Sequence, residues 1–271
     1  MQTDYLEQVI ATINKAPQLV LLALDFDGTL APIVSDPQKA FAEPAAIDAL
    51  ALLGSRIGAT AIVTGRPVQT VLDLANISAR RGFEKLVVLG QYGAERWTQA
   101  NGTTELIPTP DNLNVVEEQL KEILSKLNLA EAHIEHKGRA LVVHTRRLPN
   151  QREAFSLLAE PLKDLAASHN LVSEPGKFVW EIRDGSVDKG IALSNLIAEV
   201  KPEVVVFAGD DLGDLPAFSV VKDFRDEGGL GLLICSSSTE ENALTELADV
   251  VVDGPIGVAI WLAELAAELG H

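Results

Sequence analysis

The stretch LLALDFDGTL, residues 21–30, decides how the rest of the chain is read. Its first half completes the apolar run LVLLAL (19–24), which is strand-length and uninterrupted, as in a strand buried on both faces. Asp25 stops the run, and Phe26, Asp27, Gly28 and Thr29 follow. In open α/β sheets, ligands bind beyond the carboxyl ends of the strands, so Asp25 and Asp27 stand where a site is expected. Asp and Gly also make ordinary strand-end turns. Two carboxylates crowded at one strand end, however, repel each other unless a cation sits between them.

Outward from this stretch the chain alternates. Leu6, Val9, Ile10 and Ile13 have helical spacing, and a helix is expected from Pro44 to about Arg56. ATAIVT (59–64) reads as a second buried strand, a helix opened by Pro67 covers 67–75, and KLVVLG (85–90) is a third strand. The pattern changes after Trp97. Residues 112–128 carry a helical stripe, 133–146 read as two strands around a Lys137-Gly138-Arg139 turn, Phe155 to Leu165 form a second stripe with Pro161 as an irregularity, and 177–183 are strand-like. Alternation then resumes, with a helix over 187–200, strands at 204–209, 231–235 and 249–253, and a helix over 256–269. The expected fold is α/β, a Rossmann-like doubly wound parallel sheet, with residues 1–104 and 185–271 forming the core and an inserted α+β cap at 105–184.

Composition narrows the function. At ~150 residues per domain, 271 residues suit one large domain or two smaller ones. With 47% hydrophobic and 23% charged residues the chain can form an ordinary core. The single cysteine, Cys235, excludes a disulfide framework, points to a reducing compartment and reads as a small core residue. A net charge of −17 repels nucleic-acid backbones and anionic lipids, so neither is an expected partner. No apolar run approaches the ~20 residues of a membrane span. The N-terminus MQTDYLEQVI lacks a basic segment followed by an apolar one, so a cytoplasmic location is expected.

Three more motifs carry chemistry. VFAGDDLGDLPAF (206–218) ends another apolar strand in Asp210 and Asp211, with Asp214 one helical turn on. Two unit charges 4 Å apart interact by about 4 kcal/mol at an effective dielectric of 20, so this cluster beside Asp25 and Asp27 calls for a divalent ion. An oxygen-only donor set suits Mg²⁺. AIVTGRP (61–67) offers the Thr64 hydroxyl and backbone N–H groups as a phosphate cradle, or a simple helix cap. In SVDKGIAL (186–193), Lys189 falls in the first turn of a helix, against the dipole preference by ~0.3–1 kcal/mol. It is either held for a task or paired on the surface with Asp188 or Asp184. The serines at 236–238 read as a turn.

Acidic pair, hydroxyl, lysine and acidic cluster, in that order, resemble the haloacid dehalogenase superfamily of phosphohydrolases over essentially the whole chain. The stretches DFDGTLAPIV (25–34), TGRP (64–67), GQYGAE (90–95), IEHKGRALVVHTR (134–146), KFVWEIRDGSVDKG (177–190) and GDDLGDLPAF (209–218) are similar to the trehalose-6-phosphate phosphatases in particular. The resemblance implies an Mg²⁺-dependent phosphatase acting on a sugar phosphate; a monomer is expected. It makes Asp25 the nucleophile and Asp27 the general acid and base, with Thr64 and Lys189 holding the phosphoryl group. Asp25, the Asp27 carbonyl and Asp210 would hold the metal, with Asp211 or Asp214 as a further ligand. Substrate contacts would come from Thr29, Gly65, Arg66, Gly90, Tyr92 and Gly93 in the core, and from Glu135, Lys137, Lys177 and Glu181 in the cap. Relatives place T-D-E where this chain reads Gly213-Asp214-Leu215, so only the aspartate is retained. Glu135 and Lys137, at i and i+2 on one strand, face one side, and His144 and Arg146 are expected to share a strand face. Sucrose phosphate, a glycosyl-glycerate phosphate, a phosphomutase reaction, and a sugar-phosphate-binding regulator without turnover are the alternatives.

Overall fold

The computed structural model describes residues 2–34, 36–78, 80–106, 112–136, 139–176, 178–237 and 244–270. In chain order the elements are α1 (Gln2–Lys15), β1 (Val20–Leu24), α2 (Pro44–Gly54), β2 (Ala59–Val63), α3 (Val68–Ala75), β3 (Leu86–Gly90), β4 (Glu95–Thr98), β5 (Thr104–Leu106), α4 (Leu113–Lys126), β6 (His133–His136) and β7 (Ala140–His144). There follow α5 (Gln151–Ser168), β8 (Leu171–Gly176), β9 (Val179–Asp184), α6 (Lys189–Val200), β10 (Val204–Gly209), α7 (Leu215–Asp226), β11 (Leu230–Ser237), β12 (Val250–Asp253) and α8 (Gly254–Glu268). The chain divides into two compact units, Met1–Ile107 with Val187–His271, and Pro108–Ser186.

The larger unit is built on an eight-stranded sheet in the order β12-β11-β10-β1-β2-β3-β4-β5. Pairing is parallel from β12 to β3 and antiparallel for β4 and β5. Every residue of β1, β2, β3 and β10 is buried, which is why these strands read as unbroken apolar runs. Leu22 and Leu24 of β1 pack toward α2 and α8. Leu21 and Ala23 pack on the opposite face toward α6 and α7. The strand order reverses beside β1, whose neighbours are β2 and β10. Register aligns Leu24 with Ala208, so the residues that follow these two strands leave the sheet side by side. That is the switch point at which a doubly wound sheet opens a crevice.

The smaller unit has a four-stranded antiparallel sheet, β6-β7-β9-β8. Leu141, Val143, Trp180 and Ile182 cover one face with Val116 and Leu120 of α4 and Leu158 and Leu162 of α5. The aromatic ring of Phe155 stacks on Trp180 at 5.0 Å, and the Trp180 indole N–H donates to the Phe155 carbonyl at 2.9 Å.

Three local expectations need correction. Pro161 does not interrupt α5, which runs continuously through it, because the carbonyl it leaves unpaired belongs to half-exposed Leu157, which water can reach. Arg146 lies beyond the end of β7 and shares no strand face with His144. Ser236 and Ser237 belong to β11 instead of a turn, and Ser238 lies outside the described residues. Among the described residues no helix is long and apolar enough to cross a membrane.

Candidate active site

The loop after β1 is shaped by the alternation of its side chains. Phe26 points into the core and is fully buried, so Asp25 and Asp27 on either side of it point away. The Asp25 N–H donates to the Ala208 carbonyl at 2.8 Å, which extends the β1–β10 ladder to the nucleophile candidate itself. Leu30 and Ala31 both donate to the Phe26 carbonyl at 2.8 Å, closing a tight turn in which Gly28 takes φ +74°. That backbone is reserved for glycine for a second reason. A Cβ on Gly28 would stand 1.9 Å from Asp210 Oδ2. The Ser236 hydroxyl, buried at the end of β11, donates to the Gly28 carbonyl at 2.6 Å.

Lys189 is the first residue of α6 and is buried. Asp188 caps this helix by accepting the Ile191 N–H at 2.7 Å, and Asp184 accepts the Ser186 N–H and pairs with Arg139. Neither is therefore the partner of Lys189. Its Nζ lies 2.7 Å from Asp25 Oδ1 and 2.8 Å from Asp214 Oδ1. Asp214 spends its other oxygen on the backbone, accepting the N–H groups of Asp210 at 3.0 Å and Asp211 at 3.4 Å. Asp211 turns outward and caps the short turn Leu212–Asp214 by accepting the Gly213 N–H at 2.8 Å. Among the described residues Asp25, Asp210 and Asp214 form one cluster whose oxygens lie within 4.8 Å of one another.

Three carboxylates and one ammonium in a buried site leave uncompensated negative charge. Burial raises the Asp25 carboxyl well above the usual range, with Asp214 and Asp210 adding to it and Lys189 opposing. Burial, then Asp211 and Asp214, push Asp210 up to about 7. Asp214 is also raised by burial, against the pull of Lys189. Burial lowers the Lys189 pKa, but Asp214, Asp25 and Asp211 outweigh it and hold the ammonium charged. The cluster thus takes up a positive charge, as a proton or as a cation. Its all-oxygen donors are those of a hard divalent ion. The Asp210 carboxylate packs on the bare α-carbon of Gly28, a fit that any side chain there would destroy.

The remaining candidates of the larger unit lie in the segments that follow β1, β2 and β3. Thr64 is buried, and its hydroxyl accepts the Arg66 N–H at 3.2 Å, the bond of a local cap. Arg66 grips Asp27 through Nε and Nη2, both at 2.6 Å. Gly65 lies under the Tyr92 ring, where a Cβ would stand 2.8 Å from Cζ. Tyr92 and Gly93, with Gln91 before them, take φ of 60°, 97° and 48° in succession after Gly90 ends β3. Non-glycine residues in this region cost of order 1 kcal/mol or more, and the strain is held by bonds from the Gln91 N–H to the Arg66 carbonyl and the Tyr92 N–H to the Thr64 carbonyl, each 2.9 Å. Thr29 is buried, and its hydroxyl has no partner among the described residues. Glu95, which sequence reasoning did not single out, accepts the Val68 N–H at 2.6 Å and caps α3 from a distant strand.

In the smaller unit, register places Glu135 opposite Val142, Val142 opposite Glu181, and Glu181 opposite Glu174, so all four share one face of the sheet. Glu135 bonds His144 Nε2 at 2.8 Å. Lys137 and Lys177 lie outside the described residues.

A doubly wound sheet with carboxylates ending adjacent strands at its switch point is the fold of the haloacid dehalogenase-like hydrolases. A solved hydrolase of that kind from Bacteroides thetaiotaomicron superposes with a TM-score of 0.62, covering 90% of this chain and 98% of its own at 16% identity. The trehalose-6-phosphate phosphatase of Aspergillus fumigatus superposes with a TM-score of 0.73, covering 96% and 97% of the two chains at 22% identity. These identities establish the fold. The sequence profile described as Trehalose-phosphatase matches residues 23–250, and the Arabidopsis thaliana trehalose-phosphate phosphatase B is 31% identical over 251 residues, 89% of this chain. The chain belongs to the trehalose-phosphatase family. It spans 65% of the length of that Arabidopsis relative.

Proposed function

We propose that this protein hydrolyses trehalose 6-phosphate to trehalose and phosphate, with Mg²⁺ as cofactor. The observation that carries the reading is the buried Lys189 bridging Asp25 and Asp214 beside Asp210, at the switch point of a trehalose-phosphatase fold.

Asp25 is the nucleophile, its carboxylate paired with the Lys189 ammonium at 2.7 Å. Its carboxylate oxygen bonds to phosphorus as the P–O bond to the sugar breaks. The electron pair stays on the sugar oxygen, which takes a proton from the Asp27 carboxyl. Asp27 then accepts a proton from water as the water oxygen attacks phosphorus, and the phosphorus bond to Asp25 breaks, returning both carboxyls to their starting state. Lys189 offsets charge on Asp25 and on the incoming phosphoryl oxygens, and Asp214 fixes the Lys189 ammonium for that purpose. Thr64, whose hydroxyl accepts the Arg66 N–H and retains a donor, would donate to the same group. Mg²⁺, held by Asp25, Asp210 and the Asp27 carbonyl, would supply charge neutralisation of the phosphoryl group. Asp214 is not a direct ligand in this reading, because one of its oxygens meets Lys189 and the other the backbone, and Asp211, which caps the Leu212–Asp214 turn through Oδ1, would stand as the further ligand.

Residues 1–104 and 185–271 act as the catalytic core, and 105–184 as a sugar-recognising cap using Glu135, Glu181, Lys137 and Lys177. Gly90, Tyr92, Gly93, Gly65 and Thr29 line the core side. The protein acts as a cytoplasmic monomer. The test is phosphate release from a panel of sugar phosphates with Mg²⁺ and with chelator, in ¹⁸O-labelled water. Trehalose 6-phosphate turned over best, with one labelled oxygen in the phosphate, supports the reading. Faster turnover of sucrose phosphate or a glycosyl-glycerate phosphate, phosphoryl return to sugar, or binding without turnover refutes it.

A further inference from the structure

We infer that Arg66 is a positioning residue for Asp27, setting the orientation in which that carboxyl transfers its proton. The inference rests on the proton-transfer reading of Asp27 above and replaces the expected substrate contact of Arg66. The Asp27 side chain is 37% exposed, so burial alone does not fix its orientation. The Arg66 guanidinium meets it edge-on, Nε on Oδ2 and Nη2 on Oδ1, both at 2.6 Å. This two-point contact fixes the plane of the carboxyl group as well as its place.

The fork is itself held from several directions. Nη1 donates to the Pro37 carbonyl at 2.7 Å. The guanidinium lies 5.7 Å from the centre of the Phe26 ring, and Phe26 is the buried residue between Asp25 and Asp27. The Arg66 backbone is pinned through the Thr64 hydroxyl and, by its carbonyl, to the Gln91 N–H. A carboxylate has about four lone-pair positions and the fork uses two, so a proton can still be carried toward the sugar oxygen. An ordinary ion pair tying two loops together needs none of this registration on the residue two places after Asp25.

The discriminating experiment compares kcat/KM for trehalose 6-phosphate with that for its 6-phosphorothiolate, in which sulfur replaces the bridging oxygen. When the P–S bond breaks, its electron pair leaves on a thiolate, which with a thiol pKa near 8.5 needs little protonation. Sugar and phosphoryl group are unchanged. Arg66→Gln is expected to lose about 30-fold on the oxygen ester, within the range of general acid catalysis, and under about 3-fold on the sulfur ester. Arg66→Lys, which keeps the charge and loses the fork, is expected to fall between parent and Arg66→Gln with the same selectivity. The ratio of the two kcat/KM values does not depend on the fraction of correctly folded enzyme. Equal losses on both esters, or no loss on either, overturn the inference, since substrate binding or loop support would act on both alike. Asp27→Asn is measured in parallel. If it shows the selective loss and Arg66→Gln does not, Arg66 alone is misassigned. If Asp27→Asn loses equally on both esters, the proton-transfer reading of Asp27 fails and takes this inference with it.

Discussion

Replacing Lys189 with methionine should cost more stability than any surface substitution in this chain, and the cost should depend on pH. Lys189 Nζ stands 2.7 Å from Asp25 and 2.8 Å from Asp214, with all three side chains almost wholly buried. At an effective dielectric of 20, each contact contributes attraction of about 6 kcal/mol. Most of that offsets the desolvation of the charges, so the pair contributes little net stability while intact. Removing one partner is different, because the carboxylates stay buried without compensation. The expected loss is about 3–5 kcal/mol at pH 7.5 in the presence of chelator. At roughly 2–4 °C per kcal/mol for a chain of this size, the melting temperature should fall by about 6–20 °C. At pH 5 the loss should shrink to under about 2 kcal/mol, because Asp210, whose carboxyl is raised to about 7, is protonated there, and the raised pKa of Asp25 acts in the same direction, leaving less charge to neutralise. The assay is thermal and urea unfolding of parent and Lys189→Met at both pH values, without metal. A variant within 1 kcal/mol of the parent at pH 7.5, or an equal loss at pH 5, is the contrary outcome. Either result would mean that Lys189 is not what balances the cluster.

Two further outcomes follow from the same cluster. Because the folded pKa of Asp210 is about 7 against 3.8 for the unfolded chain, the folded protein binds more protons between those values, and the metal-free protein should lose stability as pH rises from about 4 to 7. The shift sets a ceiling of about 4 kcal/mol on that loss; Asp210→Asn should remove much of it, and the stabilisation by Mg²⁺ should grow with pH in the parent only, as read by melting curves with and without the ion. Gly28→Ala should cost about 2–4 kcal/mol and abolish Mg²⁺-induced stabilisation, since the new Cβ would stand 1.9 Å from Asp210 Oδ2 at a φ of +74°; a melting curve and Mg²⁺ response equal to the parent's would show that Asp210 can move away freely.

What could be read along the chain was whatever is written locally. The strands at Val20–Leu24 and Val204–Gly209 are apolar throughout because both faces are covered, and each stops at aspartate where the sheet opens. The helices that cover the sheet carry their stripe in the residues themselves. Strand β5, Thr104–Leu106, gave no signal because all three of its residues are exposed and no face alternates. Leu171–Gly176 was missed for a related reason, since its burial fades toward its end at Pro175 and Gly176.

From the sequence alone came the two acidic strand ends, the lysine that opens its helix against the dipole, and the glycine-rich turns, because these depend on propensity and period over a few residues. Which group meets which is a matter of the folded chain. Arg66 holds Asp27 across 39 residues, Ser236 reaches the Gly28 carbonyl across 208, and Asp214 turns to Lys189 and the backbone while Asp210 stays beside Asp25. Those pairings are set by the order in which strands assemble around β1, and by the electrostatic need of each buried charge for a partner. Residue spacing does not encode either one.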